Sequence, residues 1–331
     1  MLNTTHRTIA PLRSDKPVLM VLIDTEEEFD WALPHDRNSV GVSNIAVQHR
    51  AHKVFEKYGI KPIYVIDYPV ASQKDGWGPL RELHQDGLCD IGAHLHPWVS
   101  PPHDEDVNYR NSYPGNLPAT LEREKLKQLT EMIADNFGFR PTVYKAGRYG
   151  VGPHTTATLE ALGYEIDTSV VPLTDMSPDQ GPDFTACNAT PYWFGENREL
   201  LEIPMTTGFV GALSGAGWPL YEKLASETGK RLHLPGVFAR LGLHERITLT
   251  PEGITHVEHR RLTSAMLCRG QKMFSFTYHS PSLAPGGTPY VRSEADLAGF
   301  LDRFERYFDY FFGELGGVAA TPAEIRAQLR G

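Results

Sequence analysis

The sequence predicts an α/β protein with a mainly parallel sheet. Short apolar, largely β-branched runs alternate with helical segments through most of the chain, the rhythm of right-handed strand, helix, strand crossovers. The clearest run, Val18 to Ile23, is continuous rather than alternating, as in a strand buried on both faces. Composition agrees, because 40% hydrophobic and 22% charged residues over 331 positions supply a sizeable core for one large domain or two small ones. No repeat with a period of roughly 20–50 residues suggests a solenoid instead.

The first strand runs straight into Asp24, Glu26, Glu27 and Glu28. A core strand needs no acids, and carboxylates where a parallel strand ends lie where α/β proteins place their chemistry. Asp24 and Glu26, two apart in extended chain, point the same way. The competing reading is a helix opening at DTEEEF with Asp24 as its cap. A polar loop over Ala32 to Val42 follows, and Ser43 is expected to cap a helix with Ala51, Val54, Phe55 and Tyr58 on one face and Gly59 closing it. Lys61 to Tyr68 reads as a second strand, Pro79 to Asp86 as a short helix, and Asp90 to His96 as a third strand.

That third strand ends in His94, Leu95 and His96. Two imidazoles two apart on extended chain converge on one side. With a strand-end carboxylate from the same sheet they make the smallest acid and double-imidazole set that leaves a divalent ion open to water. The chain has 14 histidines, so coincidence is the bland alternative. Ser100 to Pro118 is too long for a plain connection and reads as a substrate loop or a surface excursion. Leu126, Leu129, Ile133 and Phe137 mark a helix ended by Gly138. Thr142 to Tyr144 is a short strand leading into Lys145, Ala146, Gly147, Arg148 and Tyr149, where small residues permit a tight turn. Arg148 either holds a catalytic carboxylate ionised or lies on the surface.

His154 to Leu162 is expected as a helix and Glu165 to Val171 as a strand. Asp167 within it wants a partner, either a polar core group or an imidazole at the site. Leu200 to Pro204 is a further strand, and the glycines of Gly208 to Trp218 fit no phosphate-loop spacing and read as turn residues. Residues 217–270 look like a helical insertion or lid within a single 1–331 domain, with His256 and His259 solvated. Phe274 to Tyr278 delivers His279, whose unperturbed pKa of about 6.5 suits a general acid. Ser293 and Asp296 cap a long helix with a broad apolar face, Leu297, Phe300, Leu301, Phe304, Tyr307, Phe308 and Phe311. A last strand over Val318 to Ala320 and a helix opening at Thr321 and Pro322 finish the chain.

Forty-one acidic against 32 basic residues, a net charge of -9 and no basic cluster argue against a nucleic-acid partner. Cys89, Cys187 and Cys268 are far apart, which suggests neither a disulfide framework nor a thiolate zinc site and fits a reducing compartment. The N-terminal stretch lacks the apolar centre of a leader, and no run is long enough for a membrane span. These features point to a cytoplasmic protein.

Taken in motif order, from about Lys16 to Glu324, the chain resembles polysaccharide deacetylases of the NodB-homology type, in particular a cytoplasmic, exopolysaccharide-associated branch. Members commonly begin with Thr-Phe-Asp-Asp; Ile23, Asp24, Thr25 and Glu26 stand in that place. The family's histidine pair is usually four apart; here the position after His94 would be Trp98, so the ligand moves to His96. The Arg-x-Pro-Tyr motif survives only as Lys145 to Tyr149, leaving Lys145 or Arg148 to pair with the base. Asp167 and His279 match the late acid and histidine.

The resemblance implies a distorted (β/α) barrel of mainly parallel strands with outer helices. It also implies hydrolysis of an N-acyl group on a sugar or polysaccharide. Glu26, His94 and His96 would hold a divalent metal ion, most simply zinc, and Asp24 would act as base, with the Asp24 and Glu26 roles open to exchange. His279 would be the acid, Asp167 would orient it, and Arg148 would keep Asp24 charged. Trp98, Tyr149 and Trp31 are the aromatics that would face a sugar, or else packing residues. The rivals are a related amide hydrolase acting on a ureide or formamide, a barrel amidohydrolase, in which the paired histidines normally follow the first strand, and a sugar-binding protein without catalysis.

Overall fold

The computed structural model describes residues 7–330; the first six residues, part of the stretch read for a leader, and Gly331 lie outside the described residues. The chain opens with β1 (Thr8–Ile9) and β2 (Val18–Thr25), the latter buried along its whole length. A 3-10 turn over Ser43–Val47 then leads into α1 (His49–Lys57). The cap expected from Ser43 comes from elsewhere. Glu28 accepts from the Ser43 hydroxyl and from the Asn44 N–H, each at 2.6 Å, so an acid of the preceding loop satisfies the turn's free donors.

Next come β3 (Ile63–Ile66) and α2 (Tyr68–Ser72). Asp67 accepts from the Val70 N–H at 2.8 Å and Pro69 lies in the first turn, which ends the second strand earlier than expected. Then follow α3 (Lys74–Gln85), β4 (Asp90–Leu95), α4 (Ala119–Phe137), β5 (Val143–Ala146) and α5 (Thr155–Leu162). After them come β6 (Ile166–Asp167), β7 (Tyr192–Phe194) and β8 (Leu200–Glu202).

The region after β8 contains β9 (Thr207–Val210), three short helices, α6 (Gly217–Leu224), α7 (Glu227–Arg231) and α8 (Leu234–Arg240), then β10 (Glu245–Thr248) and α9 (His256–Cys268). Gly208 is a strand residue, not a turn: β9 and β10 form an antiparallel ribbon, and the Leu262 side chain of α9 lies 3.1 Å from where a Cβ would stand. His259, expected in solvent, is buried, because α9 packs that face onto Phe276 and Tyr307; its Nε2 lies 2.7 Å from the Thr250 carbonyl. The chain finishes with β11 (Met273–His279), α10 (Glu294–Phe308), β12 (Val318–Ala319) and α11 (Pro322–Arg330).

The main sheet runs β1-β7-β8-β6-β5-β4-β3-β2-β11, with β12 beside the start of β2. From β8 through β6, β5, β4, β3 and β2 to β11 every pairing is parallel, and β7 and β1 add an antiparallel edge. In place of a ladder between β11 and the segment after β8, Thr206 and Ser275 exchange bonds. Each backbone N–H donates to the other's hydroxyl, at 2.9 and 2.8 Å. The sheet is strongly curled. β2 and β5 are three strands apart, roughly 14 Å in a flat sheet, yet Asp24 and Lys145 touch at 2.7 Å.

The alternation of side chains decides which residues meet. Val18, Met20 and Leu22 of β2 cluster with Ile63, Val143, Ile166, Leu201 and Met273 inside the curl, while Leu19, Val21 and Ile23 pack against the helices. Continuing by two brings Asp24 to the inner face at the C-terminal mouth. The same count carries His279 inward from Met273 and Lys145 inward from Val143.

Candidate active site

Two adjacent strand pairs, β2 with β11 and β4 with β5, separated by β3, deliver the candidate groups. Asp24 at the end of β2 lies in register with His279 at the end of β11, and His94 of β4 lies in register with Lys145 of β5. Both Asp24 oxygens accept from the Lys145 ammonium at 2.7 Å, and both residues are buried. Burial pushes the Asp24 carboxyl up, but Lys145, helped by His94 and His279, outweighs it and leaves Asp24 below its ordinary range. The cation that pairs with Asp24 is therefore Lys145. Arg148 instead donates to the Ser112 hydroxyl at 2.5 Å and stacks on Tyr109 and Tyr113.

Beside this pair, Glu26 Oε2 lies 3.8 Å from His94 Nε2 and 3.6 Å from His96 Nε2. These gaps are too long for hydrogen bonds. They approach the roughly 3.3–3.5 Å between neighbouring ligand atoms of a tetrahedral ion bound at about 2.0–2.2 Å. Glu26 Oε1 is buried and finds no partner among the described residues. Burial drives Glu26 well above its ordinary range, with Glu27, Asp24 and Asp67 adding to it, and drives His94 and His96 down, His96 to about 4. An orphaned buried carboxylate oxygen beside two imidazole Nε2 atoms at this spacing is a donor set that fits a divalent metal.

The supporting groups leave both Nε2 atoms free for that role. His94 Nδ1 lies 3.0 Å from the Lys145 carbonyl, and His96 Nδ1 lies 2.8 Å from Glu27 Oε2. Glu27 also accepts from the Trp98 indole at 2.7 Å, and Asp67 accepts from the Glu27 N–H at 2.6 Å. Glu27, Asp67 and His96 form a second acid and imidazole cluster, but hydrogen bonds already occupy it. Gly147 has a local reason. A Cβ there would stand 2.4 Å from the Leu95 carbonyl and 2.5 Å from the His96 ring, so only glycine lets β5 end against β4.

His279 takes its orienting acid from an unexpected place. Glu252, in the loop after β10, accepts from His279 Nδ1 at 2.7 Å and from its backbone N–H at 3.1 Å. Burial lowers the imidazole's proton affinity, but Glu252, Glu26 and Asp24 together raise it to about 10. Asp167 does not serve His279. Ile166 points into the curl, so Asp167 points to the helices, where it accepts from Ser169 at 2.5 Å and faces Glu202 in register on β8. Asn44 and Ser280 were also not singled out: Ser280 accepts from the Glu26 N–H at 3.2 Å and donates to Asn44 at 2.8 Å, clamping the backbone at Glu26.

Around these groups opens a cavity of about 470 Å³, lined among others by Asp24, Glu26, His94, His96, Trp31, Tyr149 and His279. A roomier hollow of about 730 Å³ between the β9–β10 ribbon and α9 contains none of the groups just described, so chemistry and not volume selects the site. Trp98 also borders the cavity, though little of it is open to solvent. It is buried, with His96 stacked at 4.3 Å and His35, from the loop after β2, at 4.0 Å. Trp31 lies edge-on to His279 at 5.0 Å, and its indole N–H has no partner among the described residues. Tyr149 also faces the cavity, its ring 5.0 Å from the Lys145 ammonium.

No family model and no curated protein matches the sequence. Solved structures do match. A candidate polysaccharide deacetylase from Mycobacterium smegmatis is 17% identical, with a TM-score of 0.56 over 97% of this chain and 93% of that one. Puue allantoinase is 14% identical, with a TM-score of 0.55 over 98% and 95%. A candidate polysaccharide deacetylase from Pseudomonas aeruginosa PAO1 is 15% identical, with a TM-score of 0.51 over 94% and 90%. At these identities the likeness defines the fold. The chain has the NodB-like distorted (β/α) barrel, carrying a buried acid and double-imidazole cluster at its mouth.

Proposed function

We propose that this chain is a metal-dependent hydrolase that removes an N-acetyl or similar acyl group from a sugar or polysaccharide. The observation that carries the reading is one cavity lined by Asp24, by Glu26, His94 and His96, and by His279, with Lys145 buried behind Asp24 and Glu252 behind His279. Glu26, His94 and His96 would hold a divalent ion, zinc being the simplest choice for that donor set, and when bound it would acidify water and polarise the acyl carbonyl.

Asp24 accepts a proton from the attacking water. Lys145 keeps that carboxylate ionised and fixes both oxygens, which orients the base at the cost of lowering its proton affinity. His279, held protonated by Glu252, donates to the nitrogen as the carbon–nitrogen bond breaks, so an amine and a carboxylic acid leave. Trp31 and Tyr149 present apolar faces to a sugar, and the free indole N–H of Trp31 offers a donor. Two features support this reading: the fold likeness to the candidate deacetylases and the fit of the donor set.

Puue allantoinase shares the barrel equally well, which favours a second reading, hydrolysis of a ureide or formamide. The test is product analysis with zinc-loaded protein. Acetate released from N-acetylated sugars or their oligomers supports the deacetylase; cleavage confined to allantoin or formylated amines supports the alternative. Cleavage of neither, with retained sugar binding, leaves a binding protein.

A further inference from the structure

Resting on the deacetylase reading and deepening it, we propose that Arg148 makes this cavity selective for anionic N-acylated sugars, its guanidinium pairing with a carboxylate or phosphate of the substrate.

Arg148 is a surplus cation. The base is already paired with Lys145, and the contacts of Arg148 among the described residues are a hydroxyl, a carbonyl and two aromatic rings, with no carboxylate. A half-buried guanidinium beside an ion-binding cluster without an acidic partner is costly to keep, and an incoming oxyanion is the natural compensation. Asp179 lines the same cavity without an ion pair to Arg148, so the cation's charge stays available.

The group is also held in a binding geometry. Tyr109 and Tyr113 lie 4.3 and 4.1 Å from Cζ, and Nη1 donates to Ser112. Rings over the guanidinium confine further bonds to its own plane, where Nη2 and Nε donate to no described residue. That free edge is the planar fork that pairs with carboxylate or phosphate through two parallel bonds. All three supporting residues come from the Ser100 to Pro118 loop, the segment expected to meet substrate.

The backbone adds a separate sign. Arg148 and Tyr149 both sit at left-handed φ, 52° and 59°. Such a conformation is strained in a non-glycine residue, and it persists where the surrounding structure imposes it, as at ligand clamps.

The experiment is calorimetric titration of zinc-loaded wild type, Arg148→Gln and Arg148→Lys with three probes: N-acetylglucosamine, N-acetylmuramate and N-acetylglucosamine 6-phosphate. Wild type is expected to bind at least one anionic sugar about tenfold or more tighter than the neutral one, a difference of about 1.4 kcal/mol. Arg148→Gln should erase that difference and Arg148→Lys should keep part of it, because an ammonium retains charge without the fork. The muramate and phosphate arms separate the two oxyanions.

Equal wild-type affinity for all three sugars, a preference that survives in Arg148→Gln, or no binding of any probe overturns the proposal. Acetate release followed in parallel separates it from the deacetylase reading. An Arg148-dependent preference without turnover sinks only the activity, and equal turnover of neutral and anionic sugars sinks only the selectivity.

Discussion

Asp24 and Lys145 show why a single side chain here cannot be judged alone. They are buried with two 2.7 Å contacts, and removing one partner of such a pair leaves the other as an uncompensated buried charge, typically a loss of about 3–5 kcal/mol. Asp24→Asn is expected to abolish turnover while metal content stays at one ion, and to be less stable than Asp24→Asn combined with Lys145→Met. Metal analysis and urea denaturation of both variants check this; full rate in Asp24→Asn would show that the base lies elsewhere. His94→Ala is expected to lose the ion instead. At this scale Asp24, Glu26, His94, His96 and His279 were visible in the text as polar residues ending apolar runs. Arg148, Asp167 and Trp98 were visible too, but their decisive long-range neighbours were not: Tyr109 and Tyr113 for Arg148, Glu202 for Asp167, and Glu27 and His35 for Trp98 lie far along the chain.

Between elements, packing and buried acids set the energetics. α10 lays Phe300, Phe304, Tyr307 and Phe308 against Phe276 and Tyr278 of β11, with Phe304 wholly buried and its ring near Phe55, Phe276 and Tyr278. Phe304→Ala should therefore lose about 3–5 kcal/mol, read as a lower urea midpoint, since the surrounding rings collapse only partly into the cavity. The apolar stripe that announced α10 in the sequence is this interface.

Glu122 of α4 is a different case. Its carboxyl accepts from Thr155 of α5 at 2.5 Å, and burial, opposed in part by that bond, raises its pKa to about 7. Because the folded value lies above the ordinary one of 4.5, its contribution to stability is complete below about pH 4.5 and is lost as pH rises through 7. Glu122→Gln should match the wild type in acid and exceed it at pH 8 by on the order of 3 kcal/mol. Urea midpoints at the two pH values decide it. No spacing rule marked Glu122, because a helix carries glutamates on any face and only the approach of α5 buries this one.

For the whole molecule, a cation held by the acid and imidazole cluster would link folding to ion binding. Glu26, His94 and His96 lie at or just past the ends of β2 and β4, strands joined through β3, so a cation bound by all three would hold these strand ends together. Zinc at about a hundredfold above its dissociation constant should add about 2.7 kcal/mol of stability, and a chelator should remove it. The melting temperature should rise with zinc in wild type and stay fixed in His94→Ala. A rise of equal size in both would place the ion elsewhere.

By itself the sequence determined the parallel α/β architecture, because runs buried on both faces and one-sided helices are local patterns written in consecutive residues. It also determined that acids and imidazoles end those runs. The tertiary structure alone decided which face of each strand looks inward. Both faces of a buried strand are apolar, so parity is invisible until the sheet curls; that curl sent Asp167 to the helices, set Lys145 instead of Arg148 on Asp24, and brought Glu252 to His279.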